Sequence, residues 1–354
     1  MARPLTLVFT APGRVEIVPA AGDESSGTAS SRPPPGRVSV RTLVSAISAG
    51  TELLAFRGQI APGTVLDETL ASLGTGTFKY PFRYGYACVG EVVAIGTDVD
   101  PAWVGRRVFA FEPHATAFVA AVAELVPVPD GLAPERAVLL AHMETAVNLV
   151  LDGAPLIGER TLVIGQGTVG LLVSALLSRF PLATLTVCER LPHRAAAARR
   201  FGAHHALEDD QVVASLGPYG ADLVYELSGD PAALDLAIAA AGHEARIVIG
   251  SWYGSKRASV ELGGRFHRRR LRLISSQVTH IAPALSARWN RQRRFGLAWK
   301  ALQEIDTLPL VSHRIRFTDA QAAYELIDRQ ADQVLQVLLD YRDSATPEKV
   351  RGTP

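Results

Sequence analysis

The sequence is poor in cysteine, and this scarcity excludes one class of protein at once. Among 354 residues there are two cysteines, Cys88 and Cys188, and each lies in an apolar, strand-like stretch. No Cys-x-x-Cys pair occurs, so the sequence does not support a disulfide framework. We expect both cysteines to be buried small hydrophobic side chains.

The net charge is also small, lysine is rare, and the apolar runs are short. The formal net charge is +1, which argues against a general surface for nucleic acid or another polyanion. No apolar run reaches the roughly 18 residues that a membrane span needs. The first residues follow a strand–turn–strand pattern, which is not typical of a signal peptide. These absences favour a cytoplasmic protein with neither a nucleic-acid nor a membrane partner.

The length and the change of pattern along the chain predict two domains. Residues 1–142 consist largely of short apolar runs broken by glycine and proline, which is typical of β-structure. After residue 290 the pattern changes again to helix, strand, helix and strand, and we expect residues 290–354 to belong to the same domain as residues 1–142. Residues 143–289 alternate continuous apolar strands with helices. That alternation predicts a parallel sheet covered by helices on both faces, the doubly wound Rossmann arrangement of α/β proteins.

A glycine-rich turn follows the first strand of the predicted parallel sheet. The stretch "RTLVIGQGTVGLL" spaces Gly165, Gly167 and Gly170 as Gly-x-Gly-x-x-Gly, directly after a strand and at the start of a helix. This spacing permits a tight turn, a close approach of backbone to pyrophosphate, and close packing of helix on strand. The sequence therefore predicts a dinucleotide site, with Thr168 and Val169 in the first helical turn.

An acidic residue after the second strand bears on the choice of cofactor. Glu189 lies 19 residues beyond Gly170, where a carboxylate can accept hydrogen bonds from the adenosine ribose. A carboxylate repels a 2′-phosphate, so we expect NAD. Arg190 follows at once and could receive that phosphate, so NADP is the alternative cofactor.

The whole plan resembles the medium-chain dehydrogenase/reductase superfamily. The segments "SAISAGTE", "YGYACVGEVVAIG", "VGRRVFAF", "LSGDPAALDLAI" and "IVIGSWYG" look like successive motifs of that family. Within it, "SAISAGTEL" and "SSQV" are most similar to the bacteriochlorophyllide-dehydrogenase-like branch. The resemblance implies a GroES-like β-barrel catalytic domain beside the Rossmann domain. It also implies cofactor contacts at Ser228, Ser251 and Ser275.

The chain departs from the family where zinc-dependent members hold their catalytic metal. The position of the cysteine ligand carries Ser48 or Ala49, and the position of the histidine ligand carries Tyr86. The third ligand position falls near Ala141 or His142. Since a catalytic zinc site needs about three protein ligands, the resemblance implies a member that binds no metal.

Without a metal, a side chain must stabilise the oxygen of a carbonyl that receives hydride. The resemblance places Tyr86 where it can donate a proton, and a packing aromatic is the alternative role. Ser48 and Thr51 border the nicotinamide in this family, although either hydroxyl could instead stabilise a turn. His142 is a candidate acid or base, with a buried helix histidine as the alternative.

We therefore expect a zinc-independent, NAD(P)-dependent oxidoreductase that interconverts a secondary alcohol and a ketone. A reductase of activated C=C bonds in enones or quinones is the first alternative, and a non-catalytic dinucleotide-binding protein is the second. Nine arginines between Arg265 and Arg294 are solvated or interface residues, or else they bind an anionic small-molecule substrate. The resemblance also implies a homodimer.

Overall fold

A computed structural model of the chain describes residues 3–20 and 32–342. Its contacts divide the chain into two compact units. The first unit comprises Met1–Leu139 and Val311–Pro354, and the second comprises Leu140–Leu310. The domain bounds predicted from the sequence include residues outside the described ranges and stay predictions.

The first unit is built mainly from antiparallel strands. Its strands are β1 (Leu5–Ala11), β2 (Arg14–Pro19), β3 (Arg37–Ala46), β4 (Cys88–Ile95), β5 (Arg107–Ala110), β6 (Ala117–Ala121), β7 (Leu125–Pro127), β14 (Val311–Arg316) and β15 (Gln336–Asp340). Its helices are α1 (Ala49–Phe56), α2 (Pro134–Ala137) and α9 (Ala320–Arg329). One sheet has the order β14-β15-β3-β4-β5-β7, with β6 also paired to β3, and β1 pairs with β2 alone.

The second unit alternates strands and helices. Its strands are β8 (Arg160–Ile164), β9 (Thr184–Cys188), β10 (His205–Leu207), β11 (Ala221–Glu226), β12 (Ala241–Ile249) and β13 (Arg272–Ser275). Its helices are α3 (Leu140–Gly153), α4 (Thr168–Leu177), α5 (Pro192–Arg200), α6 (Asp209–Ser215), α7 (Ala233–Ala240) and α8 (Arg291–Glu304). The six strands form one parallel sheet in the order β10-β9-β8-β11-β12-β13. The predicted α/β fold class is confirmed.

Aromatic side chains fill the core of the first unit beside α9. Phe9 stacks on Phe82, with ring centroids 5.2 Å apart. Tyr324 of α9 meets Phe9 edge-on at 5.3 Å and stacks on Phe56 at 5.4 Å. Such aromatic pairs contribute about 0.5–1.5 kcal/mol each beyond the area they bury. This packing fixes the Tyr324 ring, and it thereby fixes the direction of its hydroxyl.

Among the described residues, no helix is both long and apolar enough to cross a membrane.

Candidate active site

The Gly-x-Gly-x-x-Gly turn has the geometry that its spacing predicts. Gly165 follows β8 with a φ of 90°, and a Cβ there would lie 2.7 Å from the Ser228 Cα. At Gly170 a Cβ would lie 2.1 Å from the Gly165 carbonyl oxygen, so helix α4 packs directly on the turn. Gly167 has no atom within 4 Å of a Cβ position, which leaves space above the backbone. A phosphate can therefore approach the first turn of α4, which contains Thr168 and Val169.

Glu189 holds this turn from the neighbouring strand. Its Oε2 accepts a 2.8 Å hydrogen bond from the Gln166 backbone N–H, and its Oε1 accepts one of 2.9 Å from the Leu191 N–H. Each carboxylate oxygen keeps a further lone pair for a ribose hydroxyl. Arg190 is exposed immediately beside it.

Gln166 was not singled out in the sequence, yet it orders the same turn. The side chain is fully buried, donates to the Gly165 carbonyl at 3.1 Å, and accepts a 3.0 Å hydrogen bond from Ser174 of α4. A glutamine between two fingerprint glycines carries no signal of this role, because the motif allows any residue there. These two hydrogen bonds link the turn to α4 and fix its conformation.

The remaining predicted cofactor residues lie along one edge of the parallel sheet. Ser228 follows β11, Ser251 follows β12, and Ser275 ends β13, so all three lie at the carboxyl ends of strands. Ligands of open parallel sheets bind at that edge. The Ser228 hydroxyl donates to Glu226, and the Ser251 hydroxyl accepts a 2.8 Å hydrogen bond from the Gly229 N–H.

In the first unit, three of the four predicted catalytic residues come together around one hydroxyl. Tyr86 precedes β4 and Ser48 follows β3. The end of β3 lies beside the start of β4, and there the Ala46 N–H donates to the Ala87 carbonyl at 2.9 Å. The Tyr86 hydroxyl donates to Ser48 Oγ at 2.5 Å. Thr51, in the first turn of α1, hydrogen-bonds to the same tyrosine.

The surroundings of Tyr86 keep its hydroxyl protonated. Burial raises its pKa from 10.0 to about 12, although hydrogen bonds with Ser48 and Thr51 lower it. The phenol is therefore a neutral donor over the whole physiological pH range. It remains partly exposed, so its proton is not sealed inside the core.

A buried polar network that the sequence did not reveal lies behind this cluster. The Glu52 carboxylate is fully buried and accepts from the Ser48 backbone N–H at 2.8 Å. Its other oxygen accepts from the Tyr324 hydroxyl and lies 3.0 Å from His114 Nε2. Since His114 and Tyr324 lie 62 and 272 residues away from Glu52 along the chain, no local pattern indicates their meeting.

His142 and the arginine-rich segment belong to the second unit. His142 is buried in α3, at 5% exposure. Arg294 is also buried, and its guanidinium donates to Glu144 at 2.7 and 3.0 Å, to Asn148 at 2.6 Å, and to the Val278 carbonyl at 2.6 Å. Because these hydrogen bonds occupy four of its five N–H donors, Arg294 serves the packing of α3 against α8.

The side chains that the resemblance puts at the family's metal positions do not supply the three protein ligands of a catalytic zinc ion. Tyr86 and either Ser48 or Ala49 stand at two of these positions, and near the third only His142 is a usual zinc ligand. Burial raises the pKa of the Cys88 thiol to about 12, and that thiol lies 3.6 Å from Thr42 Oγ1. Across residues 3–20 and 32–342, no three His, Cys, Asp or Glu side chains gather in a metal-binding group.

Comparisons with known proteins place this geometry among dehydrogenases. Residues 168–291 match the family described as "Zinc-binding dehydrogenase". The chain is 24% identical to D-guloside 3-dehydrogenase of Escherichia coli K12 over 323 residues, which cover 85% of this chain and 91% of the relative.

Two solved structures share the fold. One, from Escherichia coli CFT073, is described as a short chain alcohol dehydrogenase complexed with cofactor NADH; its TM-score is 0.76 at 20% identity, over 96% of this chain and 100% of that one. The other is a zinc-binding dehydrogenase from Sinorhizobium meliloti 1021 bound to NADP; its TM-score is 0.73 at 17% identity, over 96% of this chain and 100% of that one.

The chain is similar to medium-chain, zinc-binding-type dehydrogenases. It is an NAD(P)-dependent oxidoreductase, as the sequence predicted.

Proposed function

We propose that the protein is a zinc-independent oxidoreductase that interconverts a secondary alcohol and a ketone, with Tyr86 as the proton donor. The observation that carries this proposal is the 2.5 Å hydrogen bond from the Tyr86 hydroxyl to Ser48, beside Thr51. The resemblance implies that Tyr86 stands at the position of the histidine ligand of zinc-dependent members, and that Ser48 or Ala49 stands at the position of the cysteine ligand. A hydroxyl cluster is suited to donating a proton to a carbonyl oxygen.

The chemistry of the cluster follows from the basicity of its groups. When bound, the reduced nicotinamide supplies the hydride. Tyr86 donates its proton to the oxygen that gains negative charge, and this transfer is downhill because an alkoxide is more basic than a phenolate. Ser48, already hydrogen-bonded to the phenol oxygen, can donate to the phenolate and stabilise it until a proton returns.

We further propose NAD as the preferred cofactor, because the spacing from the glycine-rich turn predicts that Glu189 contacts the adenosine ribose, where its charge would repel a 2′-phosphate. Two backbone N–H groups orient its carboxylate, so the negative charge cannot swing aside without breaking both hydrogen bonds. The test is a thermal shift with NADH and with NADPH. NADH at about 100 times its Kd should stabilise the fold by about 2.7 kcal/mol. An equal or larger stabilisation by NADPH at the same concentration would contradict the preference.

The Tyr86→Phe variant tests the proton donor. Loss of the hydroxyl should lower the rate of ketone reduction by about 100-fold or more, the usual contribution of a positioned acid. Cyclohexanone and cyclohexenone serve as paired probes with NADH. Thr10→Val, which removes a hydroxyl in β1 of the same unit, is the matched control and should leave the rate unchanged.

The same pair of probes separates the alternative functions. Normal reduction of the cyclohexenone C=C bond by Tyr86→Phe favours the enone reductase, which needs no donor at the carbonyl. Cofactor binding without turnover of a broad ketone and enone panel favours the non-catalytic protein. A homodimer and an anionic small-molecule substrate stay predictions, and the buried ion pair of Arg294 removes one arginine from the candidates for the anion.

A further inference from the structure

We propose that Glu52 and His114 form a buried positioning pair that holds Ser48 in place for Tyr86. The proposal deepens the proposed function and rests on it, because it concerns the residue that Tyr86 contacts. Glu52 and His114 make no hydrogen bond with the Tyr86 hydroxyl, and Ser48 is the residue that links them to it. Besides burial, the charge of Glu52 also acts on Tyr86 directly and raises the pKa of its hydroxyl.

The first step is the division of labour at the start of α1. Ser48 is the residue before the helix, but its side chain makes no capping hydrogen bond. Glu52 supplies the cap instead, since its Oε1 accepts from the Ser48 backbone N–H at 2.8 Å. A carboxylate that reaches back to this N–H is a known way to satisfy a helix start. The Ser48 hydroxyl is thereby left to receive the hydrogen bond from Tyr86.

The second step is the line of donors that ends on Glu52. Tyr341 Oη lies 2.8 Å from Ser45 Oγ, which lies 2.7 Å from His114 Nδ1, and His114 Nε2 lies 3.0 Å from Glu52 Oε2. One assignment satisfies every atom with a neutral imidazole. Each hydroxyl donates toward the histidine, and His114 Nε2–H donates to an ionised Glu52.

The third step is the role of Tyr324. Its hydroxyl donates to the same Glu52 oxygen as His114. Burial raises the pKa of Tyr324 and of Tyr341 well above the usual value, so both remain donors. Glu52 therefore receives three hydrogen bonds, from the residue before α1, from the segment before β6 and from α9. These contacts fix the carboxylate in three directions, and Ser48 with it.

The arrangement predicts coupling between Glu52 and Tyr86. Glu52→Gln places an amide N–H₂ among donors, so the chain of hydrogen bonds must rearrange and Ser48 shifts. We expect kcat for ketone reduction to fall about 10-fold or more, without a rise in KM for NADH. Tyr324→Phe removes one hydroxyl and should lower kcat by a smaller factor. It is the second variant to use if Glu52→Gln does not fold.

The test is a double-mutant cycle with Tyr86→Phe, read as kcat on the best ketone of a panel that begins with cyclohexanone. If Glu52 acts through Tyr86, both Glu52→Gln and Tyr324→Phe should have little further effect in the Tyr86→Phe background. His114→Gln, which keeps a side-chain N–H for Glu52, should retain more activity than His114→Leu. These results would support the positioning pair.

The outcomes separate the two proposals. If Tyr86→Phe lowers the rate but the Glu52 and Tyr324 losses simply multiply with it, the pair is structural and the positioning role is wrong. A raised KM for NADH with unchanged kcat in Glu52→Gln would also overturn it. If Tyr86→Phe reduces ketones at the normal rate, the proposed function itself fails, and the positioning role falls with it.

Discussion

Each unit of the protein buries a carboxylate, and the two are stabilised in different ways. Glu52 in the first unit accepts hydrogen bonds from a backbone N–H, a histidine and a tyrosine, and within the described residues it pairs with no arginine or lysine. Glu144 in the second unit is held by the buried guanidinium of Arg294 at 2.7 Å. The first carboxylate relies on a backbone N–H and two side-chain donors, and the second relies on a permanent cation.

The difference matches what each carboxylate does. Glu144 joins two helices, α3 and α8, and a fixed charge suits a structural contact. Glu52 fixes the backbone of Ser48, whose hydroxyl meets the proposed proton donor. A permanent cation beside Glu52 would place a positive charge near Tyr86 and favour its ionised form. Neutral donors satisfy the same carboxylate while leaving the phenol protonated.

Removal of one partner of the buried carboxylate should lower the free energy of unfolding much more in the second unit than in the first. Arg294→Met leaves Glu144 buried without its cation, so we expect the free energy of unfolding to fall by about 3–5 kcal/mol. Tyr324→Phe removes one of three donors from Glu52 and should cost about 1–2 kcal/mol. Chemical denaturation of both variants measures the two costs.

A matched control lies next to Arg294 in the same helix. Arg293 is exposed, and its guanidinium lies 4.2 Å from the centre of the Trp289 ring. Arg293→Met should lower the free energy of unfolding by no more than about 1 kcal/mol. An equal loss of free energy of unfolding in the two arginine variants would contradict the assigned role of Arg294. A larger loss in Tyr324→Phe than in Arg294→Met would reverse the comparison of the two carboxylates.

The parts of the fold that depend on local pattern could be predicted from the sequence. The turn from Gly165 to Gly170 and the carboxylate of Glu189 follow from spacing, because a phosphate-binding turn needs glycines at fixed offsets. The parallel sheet followed from continuous apolar strands. The cluster of Tyr86 and Ser48 was predicted through the resemblance to a family, not through any local rule.

What remained hidden depends on contacts between distant residues. Tyr324 meets Glu52 because α9 returns to the first unit after the whole second unit, and no periodicity encodes that return. The arginine-rich segment likewise gave no sign that Arg294 is buried while Arg293 is exposed. Arg294 is buried because it pairs with Glu144 of α3. Only the packing of α3 against α8 brings these two side chains together.

The pH dependence of the stability of Arg294→Met is the smallest of the expected effects. It tests most directly whether Glu144 holds a buried charge. Burial raises the pKa of the Glu144 carboxyl, and the charge of Arg294 opposes this rise. A carboxyl whose pKa is raised in the folded state binds its proton more tightly there than in the unfolded chain. Its contribution to stability is therefore present at low pH and is lost as the pH rises through the folded pKa.

Arg294→Met removes the opposing charge, so the pKa of Glu144 should rise further. As the pH falls below neutral, the variant protonates Glu144 before the unmodified protein does, and the cost of an unpaired charge disappears. The difference in free energy of unfolding between the two proteins should then narrow by on the order of 1 kcal/mol. The double variant Arg294→Met, Glu144→Gln has no carboxyl at this position and should show no such narrowing. A gap that stays constant with pH in the single variant would mean that Glu144 does not hold a buried charge, and the contrast with Glu52 would then rest on geometry alone.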